Sequence, residues 1–554
     1  MENITQGQWF RGPSADLGAP IDQSLRFNPT GAATTYLENT NISIQATSTA
    51  SMWIKLGGEP AAVRGAIFGA SKQTTAADNA TALAWKNDST FISRNTGGEQ
   101  VYDSNNKFRD FSAWYHLVLQ FNSSLGTTLY VNGIQQSSTL SAINTGSEII
   151  IGRNRGDSAD EAFQGYIAAV YYVDGQILAP TEFARTNEDG VWVPKSYTGS
   201  YGTNGFHLTF DSSQTNGIGH DSSGNGNDFT ASGFDTTALS ASNEDNDIDY
   251  FDTPTSNYGI LNPLQGTSDA LIEANLSTQS LSSVTTADHY PVMEVSQNFL
   301  IEMFDQTPTA GIGNPGVVRL INQSTGDVRT VSPGLYSPNQ IGIAVDIENR
   351  ATYAYDITNG AWLNGSTGVT NANINGGNTQ AQVTWTTTQL PTADRYLIRV
   401  TGNQGATNTS ANRYNFGQRD YIMPEPSGFV AIQTNNLPEP TIKNGKDHFD
   451  VVTFTNSTSG NTITGLNFQP DLVWIKVRNQ SYSHRLHDSI RGVQNYLISN
   501  ATSAEQTSQS DSLLSFTSDG FTTGNLGQAN GDTNVAWCWK AGTSYTPTVT
   551  GFTS

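Results

Sequence analysis

The sequence predicts an all-β protein built as a row of β-sandwiches, and three observations carry that prediction. Charged residues make up only 14% of the chain, against about 25% in typical soluble domains, so the straight-chain residues that long amphipathic helices need are scarce. Turn formers take their place, with 53 Gly beside abundant Ser, Thr and Asn. Aromatics nevertheless reach 10%, with 10 Trp, 21 Tyr and 24 Phe. That is ample material for cores and removes disorder as the explanation for the low charge. With 554 residues, several domains are expected at roughly 100–200 residues each.

Residues 1–21 are polar and read as an N-terminal arm or anchor. From residue 22 to about 240 the text becomes strand and turn. SLRFN (24–28), SMWIKL (51–56), AIFGAS (66–71), WYHLVLQF (114–121), TLYVNGIQ (128–135), EIIIGR (148–153) and GYIAAVYYVDGQI (165–177) follow in order. Asn132-Gly133 and Asp174-Gly175 are tight-turn signals beside β-branched and aromatic residues. In 166–173 both parities are apolar, as in a strand covered on both faces. FHLTF (206–210) and NDFTASGF (227–234) read as closing strands.

Residues 241–259, with Glu244, Asp245, Asp247, Asp249 and Asp252, read as an acidic linker, solvated rather than cation-gathering. A second β-rich block spans 260–436, with FLIEMF (299–304), IGIAVDI (341–347), ATYAYDI (351–357), RYLIRVTG (395–402) and FVAIQT (429–434). Asn436-Leu437-Pro438-Glu439-Pro440 follows as a stiff connector, since each proline restricts its predecessor. A third block, 441–542, carries DVVTFTN, DLVWIKVRN, LLSFTSDGF and VAWCWKAG, and residues 543–554 read as a polar tail.

The formal net charge of −22 repels phosphate backbones and argues against nucleic acid as a partner. No run of 18 apolar residues offers a membrane helix, and MENITQGQWFRGPSADLG has neither the basic nor the apolar region of a secretory signal. A surface-type composition without an export signal fits a protein assembled in a host cytoplasm and released by lysis. Cys538, the single cysteine, lies between Trp537 and Trp539 and is expected to be buried rather than reactive.

These phrases together carry a resemblance. SLRFN, then AWYHLVLQF with LYVNGIQ, then IIIGR and FQGYIAAVYYVDGQIL resemble the laminin-G type of concanavalin-A-like jelly roll, and DSSGNGND is a common phrase of such modules. IGIAVDIENRATYAYDITNGAWL (341–363) and NFGQRDYIMPEPSGFVAIQTNNLPEP (415–440) are similar to a SPRY-type sandwich, although its opening phrase is reduced to HYPVMEV (289–295). LNFQPDLVWIK, YSHRLHDSIRG, SFTSDGFTTG and VAWCWKAG resemble an uncharacterised phage module. With GVWVPKSYTGSYGTNGFHLTF and DTPTSNYG, the chain as a whole resembles the fibre and appendage proteins of tailed phages, many of them marine. The resemblance implies a virion structural protein that binds a host-surface glycan and neighbouring tail or capsid proteins, as a homotrimer by analogy with fibres. The alternatives are a purely architectural decoration protein and a polysaccharide depolymerase.

Candidate chemistry is sparse. Retaining glucanases on this fold set carboxylates along one strand in an ExDxxE pattern, because hydrolysis needs a pair of them. No such motif occurs, and GDSADEAF (156–163) reads as a loop. Nor is there a P-loop, a G-x-S-x-G elbow or an H-E-x-x-H. In SHRLHDSIRG (483–492), His484, His487 and Asp488 are metal-ligand types without an identifiable third strand, and a polar turn or short helix is the preferred reading. Trp85, Trp362 and Trp385 stand in polar text and are the candidate platforms for stacking on sugars. Asp221, Asn225 and Asp228 in HDSSGNGNDF (220–229) have half the spacing of a calcium loop, without its closing glutamate. A structural calcium ion is the one cofactor they suggest, bound weakly at roughly 10⁻⁴–10⁻³ M. The preferred reading is a Gly/Asn turn in which Asp221 caps backbone amides.

Overall fold

A computed structural model describes residues 16–28, 35–57, 64–71, 79–95, 98–103, 106–122, 125–136, 148–153, 162–236, 248, 250–261, 270–272, 277–279, 288–289, 294–305, 317–331, 340–364, 368–369, 383–392, 394–401, 411–437 and 442–541. Most of the expected arm, residues 241–247 and Asp249 of the expected linker, and the expected tail lie outside the described residues. The protein is all-β: strands, short turns and a few 3₁₀ turns account for its regular structure. Among the described residues no helix is long and apolar enough to cross a membrane. The chain divides into two compact units, one formed by Met1–Asn187 with Val191–Pro440 and the other by Glu188–Gly190 with Thr441–Ser554.

The first unit opens with a jelly roll of two seven-stranded sheets. One sheet runs Leu25–Phe27, Gly165–Asp174, Thr47–Leu56, Trp114–Asn122, Gly126–Val131, Ile134–Gln135, with Phe206–Leu208 also pairing Gly165–Asp174. The facing sheet runs Thr230–Ser232, Tyr36–Asn39, Ile149–Ile151, Arg64–Ser71, Asn79–Lys86, Phe91–Asn95, Gly98–Asp103. Asn132 and Gly133 both have positive φ, 49° and 79°, the requirement of a type I′ hairpin turn. A side chain at Gly133 would meet the Trp192 ring at 2.9 Å, so glycine serves there twice over.

Gly165–Asp174 is buried along nearly its whole length, as its unbroken apolar run predicts. A bulge between Ala168 and Tyr171 turns Ala169, Tyr171 and Val173 outward. There they pack with Val118 and Phe183 under Leu178, Tyr197 and Tyr201. The segment after residue 177 thus covers the sheet's outer face.

The second sandwich has a nine-stranded sheet centred on Phe299–Asp305, Gln340–Asp346 and Ala351–Asp356, and a five-stranded sheet centred on Val317–Asn322 and Tyr396–Thr401. Its core is continuous with that of the jelly roll, from Leu25 to Ile432.

The end of the expected acidic linker has a different character from the one its composition suggests. Asp252, Thr253, Ile260 and Leu261 are fully buried, and Asn257 nearly so. The Lys55 ammonium gives its three donors to Asp252 Oδ2 and Asn257 Oδ1, both at 2.7 Å, and to the Tyr258 carbonyl at 3.0 Å. Trp114 Nε1 donates to Asp252 Oδ1 at 3.1 Å. On the other side Phe251 N donates to Gln418 O and Gly259 N to Ile432 O. An acidic residue in a polar stretch crowded with other acids looks solvated in sequence. It is buried here because a lysine near the end of an interior strand, Thr47–Leu56, meets it with every donor satisfied.

The second unit pairs a five-stranded sheet, Phe449–Thr455, Thr533–Trp539, Leu472–Val477, Arg485–Asp488, Leu497–Ile498, with a three-stranded one, Asn461–Ile463, Gly520–Thr523, Leu513–Thr517. Val473, Ile475, Ala536 and Cys538 face the three-stranded sheet in a core with Ile463, Leu513 and Phe521. Burial pushes the free Cys538 thiol up to about 12, so it stays protonated and inert.

Candidate functional site

The three tryptophans singled out as sugar platforms do not form one. Trp85 lies in the strand Asn79–Lys86 at 1% exposure, with its ring 5.2 Å from Phe91. Trp362 is buried edge-on to Tyr355 at 5.2 Å. Trp385 is half-buried and packs against the main core. Polar text around Trp85 and Trp362 hid a strand in which each ring is turned inward, whereas Trp385 follows the strand Val383–Thr384 and is held by the core beside it. Trp85 belongs to the jelly roll and the other two to the second sandwich, so they share no surface.

Asp221, Asn225 and Asp228 do come together, but as a turn. Asp221 Oδ1 accepts from His207 N and Ser223 N, both at 2.9 Å, and Oδ2 accepts from Ser223 Oγ and Asn227 N, also at 2.9 Å. Four donors fill the roughly four lone-pair sites of a carboxylate. Asp228 Oδ1 accepts from Asp221 N at 2.7 Å and Oδ2 from Asn216 Nδ2 at 2.6 Å. Asn225 Nδ2 donates to the carbonyls of Gly202 and Gly205. A calcium ion needs six to eight oxygens free of N–H donors, and this set does not fit it. Among the described residues no group of three or more His, Cys, Asp and Glu side chains is placed to share a metal.

The knot 483–492 is a strand, Arg485–Asp488, followed by a turn, in place of the expected turn or short helix. His484 Nδ1 accepts from Trp474 Nε1 at 2.9 Å. His487 is fully buried beside the Asn495 carbonyl, and burial lowers its pKa to about 4. Asp488 pairs with Arg491. The two histidines lie on opposite faces of the strand, so no metal site forms.

One arrangement with catalytic overtones was not visible in sequence. Ser51 Oγ lies 2.8 Å from His116 Nε2 on the adjacent strand, and Trp192 Nε1 donates to His116 Nδ1 at 3.1 Å. Because Nδ1 accepts, Nε2 carries the proton and donates to Ser51, so this histidine cannot take the serine proton. Burial lowers its pKa to about 3, and Trp53 stacks on it at 4.8 Å. The pair is a hydrogen-bonded core element. The buried Glu302 is similarly engaged, accepting from Met423 N at 2.7 Å and Asn415 Nδ2 at 2.9 Å. Desolvation raises its pKa to about 7.

The exposed aromatic surface lies in the second unit. Along Thr533–Trp539 buried Asn534, Ala536 and Cys538 alternate with half-buried Val535, Trp537 and Trp539. Registers across the sheet align Val451, Trp537, Trp474, Leu486 and Leu497 in one row, and Phe449, Trp539 and Leu472 in the next. Trp474 and Trp537 are 5.4 Å apart, and Phe449 and Trp539 5.0 Å. Phe449 is 38% exposed and Val451 42%. The signal was legible: VAWCWK and LVWIKV place each tryptophan in phase with the outward position.

Comparison with known proteins agrees with the jelly-roll geometry. The family profile described as "Concanavalin A-like lectin/glucanases superfamily" matches residues 29–180. The N-terminal sandwich is a concanavalin A-like jelly roll. A domain of unknown function (DUF7483) matches residues 444–554. No match is found among curated proteins. Among solved structures, the chain is similar to a native heptameric SAP-like pentraxin from Limulus polyphemus at 18% identity, covering 30% of this chain and 81% of that one, with a TM-score of 0.24. It is also similar to the Trypanosoma rangeli sialidase in complex with DANA, at 14% identity over 24% of this chain and 21% of that one, TM-score 0.20. The botulinum neurotoxin type G receptor binding domain matches at 10% identity over 30% and 50%, TM-score 0.20. The chain thus spans about a fifth of the sialidase and half of the neurotoxin domain.

Proposed function

We propose that the protein is a non-catalytic appendage of a tailed-phage particle that attaches to host-surface glycan. On this reading it is a homotrimer held by neighbouring tail or capsid proteins, made in the host cytoplasm and released by lysis. The observation that carries the binding role is the concanavalin A-like jelly roll over residues 29–180. The virion role rests on the sequence phrases shared with phage appendages, and the middle sandwich is read as SPRY-like on the same ground.

A binding rather than catalytic role is supported by how the buried ionisable groups are used. Asp221 and Glu302 accept structural hydrogen bonds, Asp252 holds Lys55, and His116 holds the tautomer that cannot act as base toward Ser51. Mass spectrometry and immunogold labelling of purified particles test the virion role: label on the tail or capsid is expected, and protein confined to the infected-cell lysate contradicts it. A reducing-sugar assay on host polysaccharide is expected to stay flat, and sustained product release contradicts a binding-only role.

A further inference from the structure

We propose that the outward face of the five-stranded sheet in the second unit binds neutral polysaccharide, with Trp537, Trp539 and Trp474 as its stacking surface. The inference deepens the proposed glycan-binding role and rests on it for the class of ligand. It places a glycan contact on the C-terminal unit, in addition to the lectin-type jelly roll.

Folding alone does not call for these rings. The solvent side of an antiparallel sheet ordinarily carries polar residues, with the apolar parity turned to the core. Here the inward parity, Val473, Ile475, Ala536 and Cys538, already fills the core. The outward parity nevertheless carries Phe449, Val451, Leu472, Trp474, Leu486, Val535, Trp537 and Trp539, with Thr453, Thr455, Thr533, Lys476 and Asp488 toward its margins. Trp537 and Trp539 follow one another at ~6.8 Å along their strand, and the strand carrying Trp474 lies ~4.8 Å to the side. The result is a grid of rings rather than a single exposed side chain.

The size and charge of the face choose the occupant. A half-buried tryptophan of up to roughly 250 Å² leaves on the order of 100 Å² in contact with water. The whole aromatic stripe then offers a few hundred Å², well short of the ~800 Å² per partner that a stable protein interface buries. That area suits a few sugar rings. The charged groups at its rim are engaged locally: Lys476 Nζ donates to the carbonyls of Val477 and Gln480, and Asp488 pairs with Arg491. The Asp488–Arg491 pair cancels, and the Lys476 ammonium keeps its charge, so the face sets one cation beside three indoles and ring stacking rather than charge dominates its chemistry. Among the described residues nothing accepts from the Trp537 or Trp539 indole N–H, whereas that of Trp474 is given to His484. A ligand with apolar C–H faces and hydroxyl edges matches both the ring faces and these donors, and a saccharide is the chemistry that has both.

The test uses the full chain in affinity electrophoresis and calorimetry against soluble neutral polysaccharides (a β-1,3-glucan, a β-1,4-mannan and a galactan) and against host lipopolysaccharide. Wild type is expected to bind at least one neutral polysaccharide. W537A/W539A is expected to weaken that binding at least 10-fold with an unchanged near-ultraviolet spectrum outside the lost indoles, and W537Y/W539Y to restore most of it. W385A, in the first unit, should leave it unchanged. Binding that survives W537A/W539A, or that falls with W385A instead, overturns this assignment while leaving a glycan-binding role elsewhere in the protein. Failure of wild type to bind any neutral polysaccharide overturns the assignment. Failure on lipopolysaccharide as well removes the glycan-binding role itself. A drop in sedimentation coefficient caused by W537A/W539A identifies the face as a contact between copies and also overturns it.

Discussion

Two sheets of this protein carry aromatic residues on the side away from their sandwich core, and they treat them in opposite ways. In the jelly roll, Tyr171 on Gly165–Asp174 is stacked by His207 at 4.1 Å and flanked by Phe183 at 5.5 Å, and is 9% exposed. In the C-terminal sheet Trp474 touches Trp537 and Trp539 touches Phe449, but all three tryptophans remain only half-buried. The sequences announce the difference. IAAVYYV is apolar in both parities, so both of its faces must be covered. NVAWCW alternates, with one parity small or polar enough to fill a core and the other large and aromatic. A covered aromatic stabilises the fold; an uncovered one, kept against the usual preference for polar residues, points to a ligand.

The predictions follow that contrast from the largest effect downward. Asp252→Ala leaves the Lys55 ammonium buried without its anion and is expected to destabilise the first unit by about 3–5 kcal/mol, read by denaturant unfolding. Phe183→Ala removes the cover from Tyr171 and is expected to cost a similar 3–5 kcal/mol. Trp539→Ala, where part of the ring is already in water, is expected to cost less, about 2–3 kcal/mol. Equal losses at the two positions would erase the contrast.

Acid acts on both units. Burial lowers His116 to about 3 and His207 to about 4 in the first unit, and His487 to about 4 in the second. The unfolded chain binds these protons near pH 6.5 and the folded chain does not. Stability is therefore complete above that pH and falls as pH drops toward 4, by about 1.4 kcal/mol per pH unit per histidine. In the first unit Glu302, raised by burial to about 7, binds its proton more tightly folded than unfolded and offsets one of the two histidines, so hydrogen exchange should show the two units losing protection about equally between pH 6.5 and 4.5.

Smallest among these is Asp221→Ala, which removes acceptors from three backbone amides and is expected to cost about 1–3 kcal/mol. Calcium calorimetry on wild type and variant should both be flat; a wild-type isotherm lost in the variant would restore the metal reading.

Much of the fold was legible because strand period and turn chemistry are local. The Asn132-Gly133 hairpin, the doubly covered strand at 166–173 and the apolar runs of all three blocks needed only neighbours in sequence. What was not legible depended on partners far along the chain. Asp252 reads as one more acid of a solvated run until Lys55, 197 positions away, is placed against it. Trp85, Trp362 and Trp385 were chosen for polar neighbours, but in a strand every second neighbour points the other way, so polar flanks accompany a buried ring as readily as an exposed one. Trp537 and Trp539 flank Cys538, for which the sequence predicts burial. Alternation separates them from it, with the thiol inside and the indoles out.

The most direct test of the account is hydroxyl-radical footprinting of the full chain, read by mass spectrometry with and without the neutral polysaccharide it binds. Oxidation of Trp474, Trp537 and Trp539 in the free protein, suppressed by the polysaccharide while the half-buried Trp192 and Trp385 stay unchanged, is the predicted result. Protection confined to the jelly roll, with the three C-terminal tryptophans oxidised equally in both samples, would contradict it.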